Sequence, residues 1–234
     1  MSRVLIVGAG LTGSLCACLL RRELQGRVQV VVWDKAGGAG GRMSTSRPPD
    51  ASSHSADLGA QYITATPAYA QSHHSFYSEL LCAGVLQPLD CHIEGLQQKD
   101  GNKNYVTPRG TSNVVKHFLS ESGADLFLQH HVTGVYRRGA SWEVARKAGD
   151  SETFDAVVLT MPVPQILQLQ GDLVTCKSLR TRTGPNCSQR DPTHSHMTCF
   201  EKTSLTTHTC LLLLYSVSFL IHMIFRFLST CRMF

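Results

Sequence analysis

The chain opens on an unbroken apolar run, Val4-Leu5-Ile6-Val7, which stops at Gly8. A run that short suits a strand buried on both faces of a parallel sheet. Ser14 to Leu24 follows with Leu15, Leu19 and Leu20 at helical spacing, and Val28 to Trp33 is a second buried strand that ends on Asp34. The spacing predicts a helix over Pro67 to Cys82, with Tyr69, Phe76, Tyr77, Leu80 and Leu81 as core candidates. Short strands and turns are expected from Val85 to Val106, and Asp100-Gly101 is a hairpin signal. Thr111 to Ser122 reads as a helix closed by Gly123. Asp125 to Tyr136 and Ser141 to Ala145 alternate as strands about a turn at Gly139, and Phe154 to Thr160 is another buried strand.

The pattern stops after Leu173. Residues 175–209 are rich in Thr, Ser, Arg and His without a sustained period. Cys210 to Leu228 is then almost wholly apolar, interrupted by His222 and Arg226. We expect residues 175–209 to lack regular contacts with the core. We expect 211–228 to form a helix packed on exposed apolar surface. At 15 residues with one His, Leu211 to Phe225 falls short of the ~20 that a spanning helix needs, so membrane contact of this segment is the lesser expectation.

Charge follows the same break. Residues 1–174 hold 15 Lys+Arg and 15 Asp+Glu, while the last 60 residues hold the remaining 7 and 2. The net +5 therefore belongs to the tail and implies no nucleic-acid face on the folded part. The organisation read here is a first unit over 1–174 and a divergent tail over 175–234. The nine cysteines are odd in number, and none forms a CxxC pair. That excludes a disulfide framework and a zinc site of the usual spacing. The histidine pairs His73-His74 and His130-His131 are adjacent, so their side chains diverge; no metal is expected.

The chemistry lies in glycine. Gly8-x-Gly10-x-x-Gly13 sits between the first strand and the first helix. The first glycine makes a tight turn, the second admits a pyrophosphate, and the third lets helix and sheet pack closely. The helix start supplies free N–H groups and a positive dipole end. Asp34, at the end of the second strand, is placed to accept from a ribose diol and disfavours a 2′-phosphate there. A second cluster, Gly37-Gly38-Ala39-Gly40-Gly41-Arg42-Met43, follows at once. A NAD-only site has no need of it. A longer dinucleotide needs more close-approach backbone, and Arg42 offers a cation with a planar face.

Together, Gly8–Gly13, Asp34, Gly40-Gly41-Arg42-Met43 and Asp57-Leu58-Gly59-Ala60-Gln61-Tyr62 resemble the FAD-binding half of the flavin amine oxidase superfamily. Trp33-Asp34-Lys35, Ile93-Glu94-Gly95 and Leu159-Thr160-Met161-Pro162 are similar to segments of one branch within it. The resemblance runs from Met1 to about Val174. It implies an α/β chain: a Rossmann-like FAD-binding domain with the beginning of an incomplete mixed-sheet substrate domain. It implies that Gly8, Gly10, Thr12 and Gly13 hold the pyrophosphate, and that Asp34, with Lys35 beside it, holds the adenosine ribose. Gly40, Gly41 and Arg42 would meet phosphate or the flavin side, and Gly59, Ala60, Gln61 and Tyr62 would lie along the isoalloxazine. The backbone of Val132 would meet the adenine. In that branch the flavin takes a hydride from 2- or 6-dihydro isomers of NAD(P), and O2 reoxidises it with release of H2O2. No side-chain acid or base is demanded, so no catalytic residue is named.

The branch's pattern continues past the point where this sequence departs from it. The only glycine after 174 is Gly184, so the family's late Gly-Asp flavin motif is absent. The chain therefore reads as truncated, with impaired turnover expected. The alternatives are an inactive form that acts by binding, or an FAD-dependent amine oxidase. Val4 to Leu20 also mimics a signal peptide. Cleavage near Cys16 or Cys18 would remove the phosphate turn, so retention and a cytoplasmic location are expected, with secretion, as described for the family, as the alternative.

Overall fold

A computed structural model describes residues 1–46, 55–91, 100–173 and the backbone of 210–213. In chain order the elements begin with β1 (Ser2–Val7), α1 (Leu11–Leu24), β2 (Val28–Trp33), β3 (Thr45–Ser46), β4 (Ala56–Asp57) and β5 (Ile63–Ala65). Next come α2 (Pro67–Ser72), α3 (His74–Cys82), β6 (Gln87–Pro88), β7 (Lys103–Val106) and α4 (Ser112–Ser122). The series ends with β8 (Asp125–Phe127), β9 (Val132–Arg138), β10 (Ser141–Arg146), β11 (Glu152–Phe154), β12 (Ala156–Leu159), α5 (Val163–Ile166), β13 (Gln170–Gly171) and β14 (Cys210–Leu213).

A parallel sheet in the order β14-β12-β1-β2-β8 forms the centre. Its inner strands are apolar on both faces because both faces are covered. Val4, Ile6, Val30 and Val32 face a layer that includes Leu15, Leu19, Val115 and Phe118 of α1 and α4. Leu5, Val7, Val31 and Trp33 point the other way, onto Val135, Trp142, Val144 and Phe154. Those residues belong to a second sheet, β11-β10-β9-β13. A small antiparallel sheet, β5-β7-β6, carries α2 and α3 and joins the helical side of the core through Ala65, Leu80, Leu86 and Tyr105.

The structure divides three expected elements. The helix expected over Pro67 to Cys82 breaks at His73 (φ -122°, ψ 27°), which ends α2 and starts α3. The strand expected over Asp125 to Tyr136 becomes β8 in the parallel sheet and β9 in the second sheet. Left-handed Gln129 (φ 59°) turns the chain between them. The run Phe154 to Thr160 changes sheets at Asp155, whose carboxylate accepts from the Arg3 amide at 2.7 Å.

The helix expected over 211–228 is corrected at its start. Cys210–Leu213 is a strand, parallel to β12 in the register Ala156↔Cys210 to Leu159↔Leu213. A short apolar run does not itself distinguish strand from buried helix. The outer edge of β12 supplies the unpaired backbone groups that select strand. Residues 175–209 and 214–228, and the Ile93-Glu94-Gly95 segment, lie outside the described residues. Among the described residues no helix is long and apolar enough to cross a membrane.

Candidate functional site

The parallel sheet reverses direction of growth at β1: α1 leads to β2 on one side, and β12 lies on the other. Crevices at the carboxyl ends of strands beside such a switch point are where open α/β sheets take ligands. Here the crevice is lined by backbone. Gly8 has a φ of +116°, and a Cβ there would lie 2.5 Å from Thr160 Oγ1. A Cβ on Gly13 would lie 1.9 Å from the Gly8 carbonyl oxygen. Gly10 differs: it is extended (φ -92°), and the nearest atom to a Cβ is Gly40 O at 4.0 Å.

Gly10 is the N-cap of α1 and gives no side-chain cap; the first turn, with Leu11, Thr12 and Gly13, contains no acid. The amides of that turn precede the first intrahelical bond, Ser14 N–H to Gly10 O at 2.9 Å. They form an anion-ready surface that the protein does not cap with its own side chain.

Asp34 closes one side. Its Oδ2 accepts from Ala9 N–H at 2.6 Å and its Oδ1 from Ala36 N–H at 2.8 Å. A carboxylate has about four acceptor positions, so capacity for a diol is left. The neighbouring Lys35 donates from Nζ to Gln165 Oε1 at 3.3 Å, across the crevice mouth to α5. The segment after β8 folds over this end. Asp34 N–H donates to Phe127 O at 3.0 Å, Gln129 N–H to Ala36 O at 3.0 Å, and His130 N–H to Asp34 O at 2.8 Å. Those bonds bring buried Val132, first residue of β9, to the Asp34 end.

The second glycine turn lies directly against the first. Gly40 N–H donates to Ala9 O at 2.9 Å, Gly10 and Gly40 form a parallel bridge, and a Cβ on Gly41 would lie 3.5 Å from Gly10 Cα. Both Gly40 (φ +144°) and Gly41 (φ +56°) need the conformational freedom of glycine. Arg42 follows, exposed, in a single helical turn over Gly41–Met43. Gly59 packs on it: a Cβ would lie 2.1 Å from Arg42 O, and Ala60 N–H donates to the same oxygen at 3.4 Å. Gln61 is exposed and Tyr62 half-buried as the strip leads into β5.

One side chain ties this half together. Asp57 Oδ1 accepts from Thr45 Oγ1 at 2.6 Å, Thr111 N at 2.8 Å and Thr111 Oγ1 at 3.0 Å. It thereby joins the β3–β4 pair to the start of α4 and fixes the residues on either side of it. Neither this knot nor the seat of Thr160 over Gly8 was signalled by sequence spacing. Thr111 and Thr160 lie 54 and 152 residues from the groups they meet.

The structure thus brings Gly8, Gly10, Thr12, Gly13, Asp34, Gly40, Gly41, Arg42, Gly59 and Ala60 into one continuous backbone-lined path. Lys35 and Val132 flank one end, and Gln61 and Tyr62 continue the other. Behind the path, burial pushes the Cys16 thiol up to about 12, so it stays protonated. Among the described residues no group of acids, histidines and cysteines has the arrangement of a metal site.

Two family models match in succession: an NAD(P)-binding Rossmann-like domain over residues 6–80, and the flavin containing amine oxidoreductases over residues 68–183. Renalase of Mus musculus is 52% identical over 182 residues, which is 78% of this chain and 53% of the renalase. The chain therefore spans about half the length of that curated relative. Among solved structures, a putrescine oxidase superposes with a TM-score of 0.54 at 13% identity, over 73% of this chain and 60% of that chain. A protoporphyrinogen oxidase-type protein of Exiguobacterium sp. 255-15 gives 0.55 at 12% identity, over 72% and 61%. At such identities the likeness is one of fold.

Proposed function

The chain belongs to the flavin-containing amine oxidoreductases, with renalase as a relative, and from that premise we propose that it binds FAD along the glycine path as a hydride-accepting oxidoreductase. The observation that carries the proposal is the junction of the two glycine turns. The Gly10–Gly40 bridge makes one surface of them, and Gly10 alone of the first three glycines would carry a Cβ without a close contact, its nearest neighbour being Gly40 O at 4.0 Å. A group with two phosphates needs that bare backbone, and the uncapped start of α1 favours its charge. Gly8, Gly10, Thr12 and Gly13 would hold the pyrophosphate. Asp34, with Lys35 at the rim, would take the ribose, and Val132 would meet the adenine through its backbone. Gly40, Gly41 and Arg42 would continue along the phosphates, with Gly59, Ala60, Gln61 and Tyr62 beside the ring.

FAD would supply the two-electron acceptor; the proposed substrates are the 2- and 6-dihydro isomers of NAD(P), which leave as NAD(P)+ after giving up a hydride, and O2, which leaves as H2O2 after taking those two electrons, the hydride's proton and one proton from solvent. The chain's own residues bind, orient and exclude water, and none is required to move a proton. The proposed location is the cytoplasm. Ser2–Val7 pairs with strands on both sides, so export with cleavage near Cys16 or Cys18 would remove the centre of the sheet.

A second reading, binding without turnover, is favoured by the open side of the 58–62 strip. Leu58 is 70% exposed, and Gly59 and Gln61 are exposed. FAD titration of the purified chain, followed by addition of each dihydro isomer with H2O2 detection, separates the two. Binding with peroxide release supports the oxidoreductase, binding without it supports the second reading, and no binding rejects both.

A further inference from the structure

We propose that Thr160 is a positioning residue for the phosphate turn, its hydroxyl holding the Gly8 peptide so that the α1 amides face the cofactor; this rests on the FAD proposal above. Thr160 directly follows β12, on the far side of the switch point from Asp34. Its amide donates to Val7 O at 3.0 Å, continuing the β1–β12 ladder. Its Oγ1 lies 2.9 Å from Val7 O and 3.2 Å from Gly8 O. The single hydroxyl proton is therefore shared between the two carbonyls that begin the turn.

The glycines are shaped around this oxygen. It lies 2.5 Å from where a Gly8 Cβ would be and 3.2 Å from where a Gly13 Cβ would be. Thr160 Oγ1 fills the space that Gly8 leaves and borders that of Gly13, which the Gly8 carbonyl fills first, whereas a Cβ on Gly10 would meet only Gly40 O, at van der Waals distance. The Gly8 carbonyl is thus gripped from two sides, by Thr160 and by the first turn of α1. With that peptide fixed, Ala9 N–H reaches Asp34, and the amides beyond it point outward in register.

Valine in place of Thr160 keeps the shape, removes the donor and sets a methyl group where the carbonyls accept a proton. Both carbonyls lose a partner, and the turn must retreat by a few tenths of an ångström. In the full chain, FAD titration followed by flavin fluorescence should give a Kd about 10-fold higher for Thr160→Val, or ~1.4 kcal/mol. Thr160→Ala, which relieves crowding, should weaken binding by a similar factor, and Thr160→Ser should stay within about twofold of the parent. Hydrogen exchange of the ligand-free chain supplies a second readout. Amides of residues 9–14 should exchange faster in the valine and alanine variants, and those of Ser141–Arg146 should not change. Unchanged affinity in both the valine and alanine variants overturns the proposal. So does a serine variant as weak as alanine, because the hydroxyl would then not be the active feature. A parent chain that binds no FAD overturns the proposal together with the function it rests on, whereas a parent that binds while the variants match it overturns Thr160 alone.

Discussion

Gly10→Val should abolish flavin binding and leave the fold standing. Gly10 has a φ of -92° and a ψ of -171°, an extended conformation that valine adopts readily. The nearest atom to the new Cβ is Gly40 O at 4.0 Å, so the Cβ itself meets no clash within the protein. Two small effects on stability oppose each other: the lost glycine N-cap costs a few tenths of a kcal/mol to ~1, and a stiffer unfolded chain returns ~0.4–1. The net change is below about 1 kcal/mol. For the cofactor the consequence is large. A valine side chain occupies the approach to the α1 amides, where each charge-assisted hydrogen bond contributes roughly 1.5–3 kcal/mol. Losing two of them costs ~3–6 kcal/mol, a Kd increase of roughly 100- to 20,000-fold. The control is Gly13→Ala, whose Cβ would meet the Gly8 carbonyl oxygen at 1.9 Å and must displace it. That variant should lose both stability and flavin. Thermal melts by circular dichroism and FAD titration of the same preparations give both quantities. Gly10→Val binding FAD within a few-fold of the parent would refute the placement of the pyrophosphate.

Three further outcomes follow from groups outside the glycine path. Asp57→Ala leaves the Thr45 hydroxyl and the Thr111 amide and hydroxyl without their shared acceptor, and should lower stability by about 2–3 kcal/mol in denaturant titrations; an unchanged midpoint would dissolve the knot. Burial opposes ionisation of Glu79, but hydrogen bonds from Arg22 and His117 outweigh it and hold the carboxyl below its ordinary 4.5. The unfolded chain then binds the proton more readily, so this stabilisation is present above pH 4.5 and is lost as pH falls through the folded value. Glu79→Gln should flatten the acid limb of midpoint against pH, and an identical slope would exclude the contribution. Burial pushes Cys16 to about 12 and Cys18 to about 11, while Cys82 and Cys91 are exposed. Among these four, an alkylating reagent near neutral pH should modify Cys82 and Cys91 before Cys16 and Cys18, which it should reach only on unfolding, as peptide mass mapping would record.

Local sequence determined much of the first half of this fold. The runs Val4–Val7 and Val28–Trp33 became strands because continuous apolar residues need cover on both faces, and Gly8-x-Gly10-x-x-Gly13 between them could mark only a tight turn into a helix. The helix at Ser112–Ser122 was legible from its apolar spacing and from Gly123, which ends it with a φ of +57°. The candidate site was legible as a set of glycines and one acid, because close backbone approach is a property of single residues.

What the chain's order could not give was which distant groups meet. One apolar stretch became β8 and β9 in different layers because Gln129 turns left-handed and caps the Asp34 end with backbone bonds. The run after Glu152 changed sheets at Asp155, where the Arg3 amide lies 152 residues away in sequence. Cys210–Leu213 took strand form because the edge of β12 offered unpaired donors and acceptors, a fact about a neighbour and not about its own period. Glycine at 8 and 13 proved to be shaped by Thr160 and the Gly8 carbonyl, whereas a Cβ at Gly10 would meet only Gly40 O, at 4.0 Å. Turn geometry is written in adjacent residues, and steric fit between strands far apart in sequence is settled only once the sheet has formed.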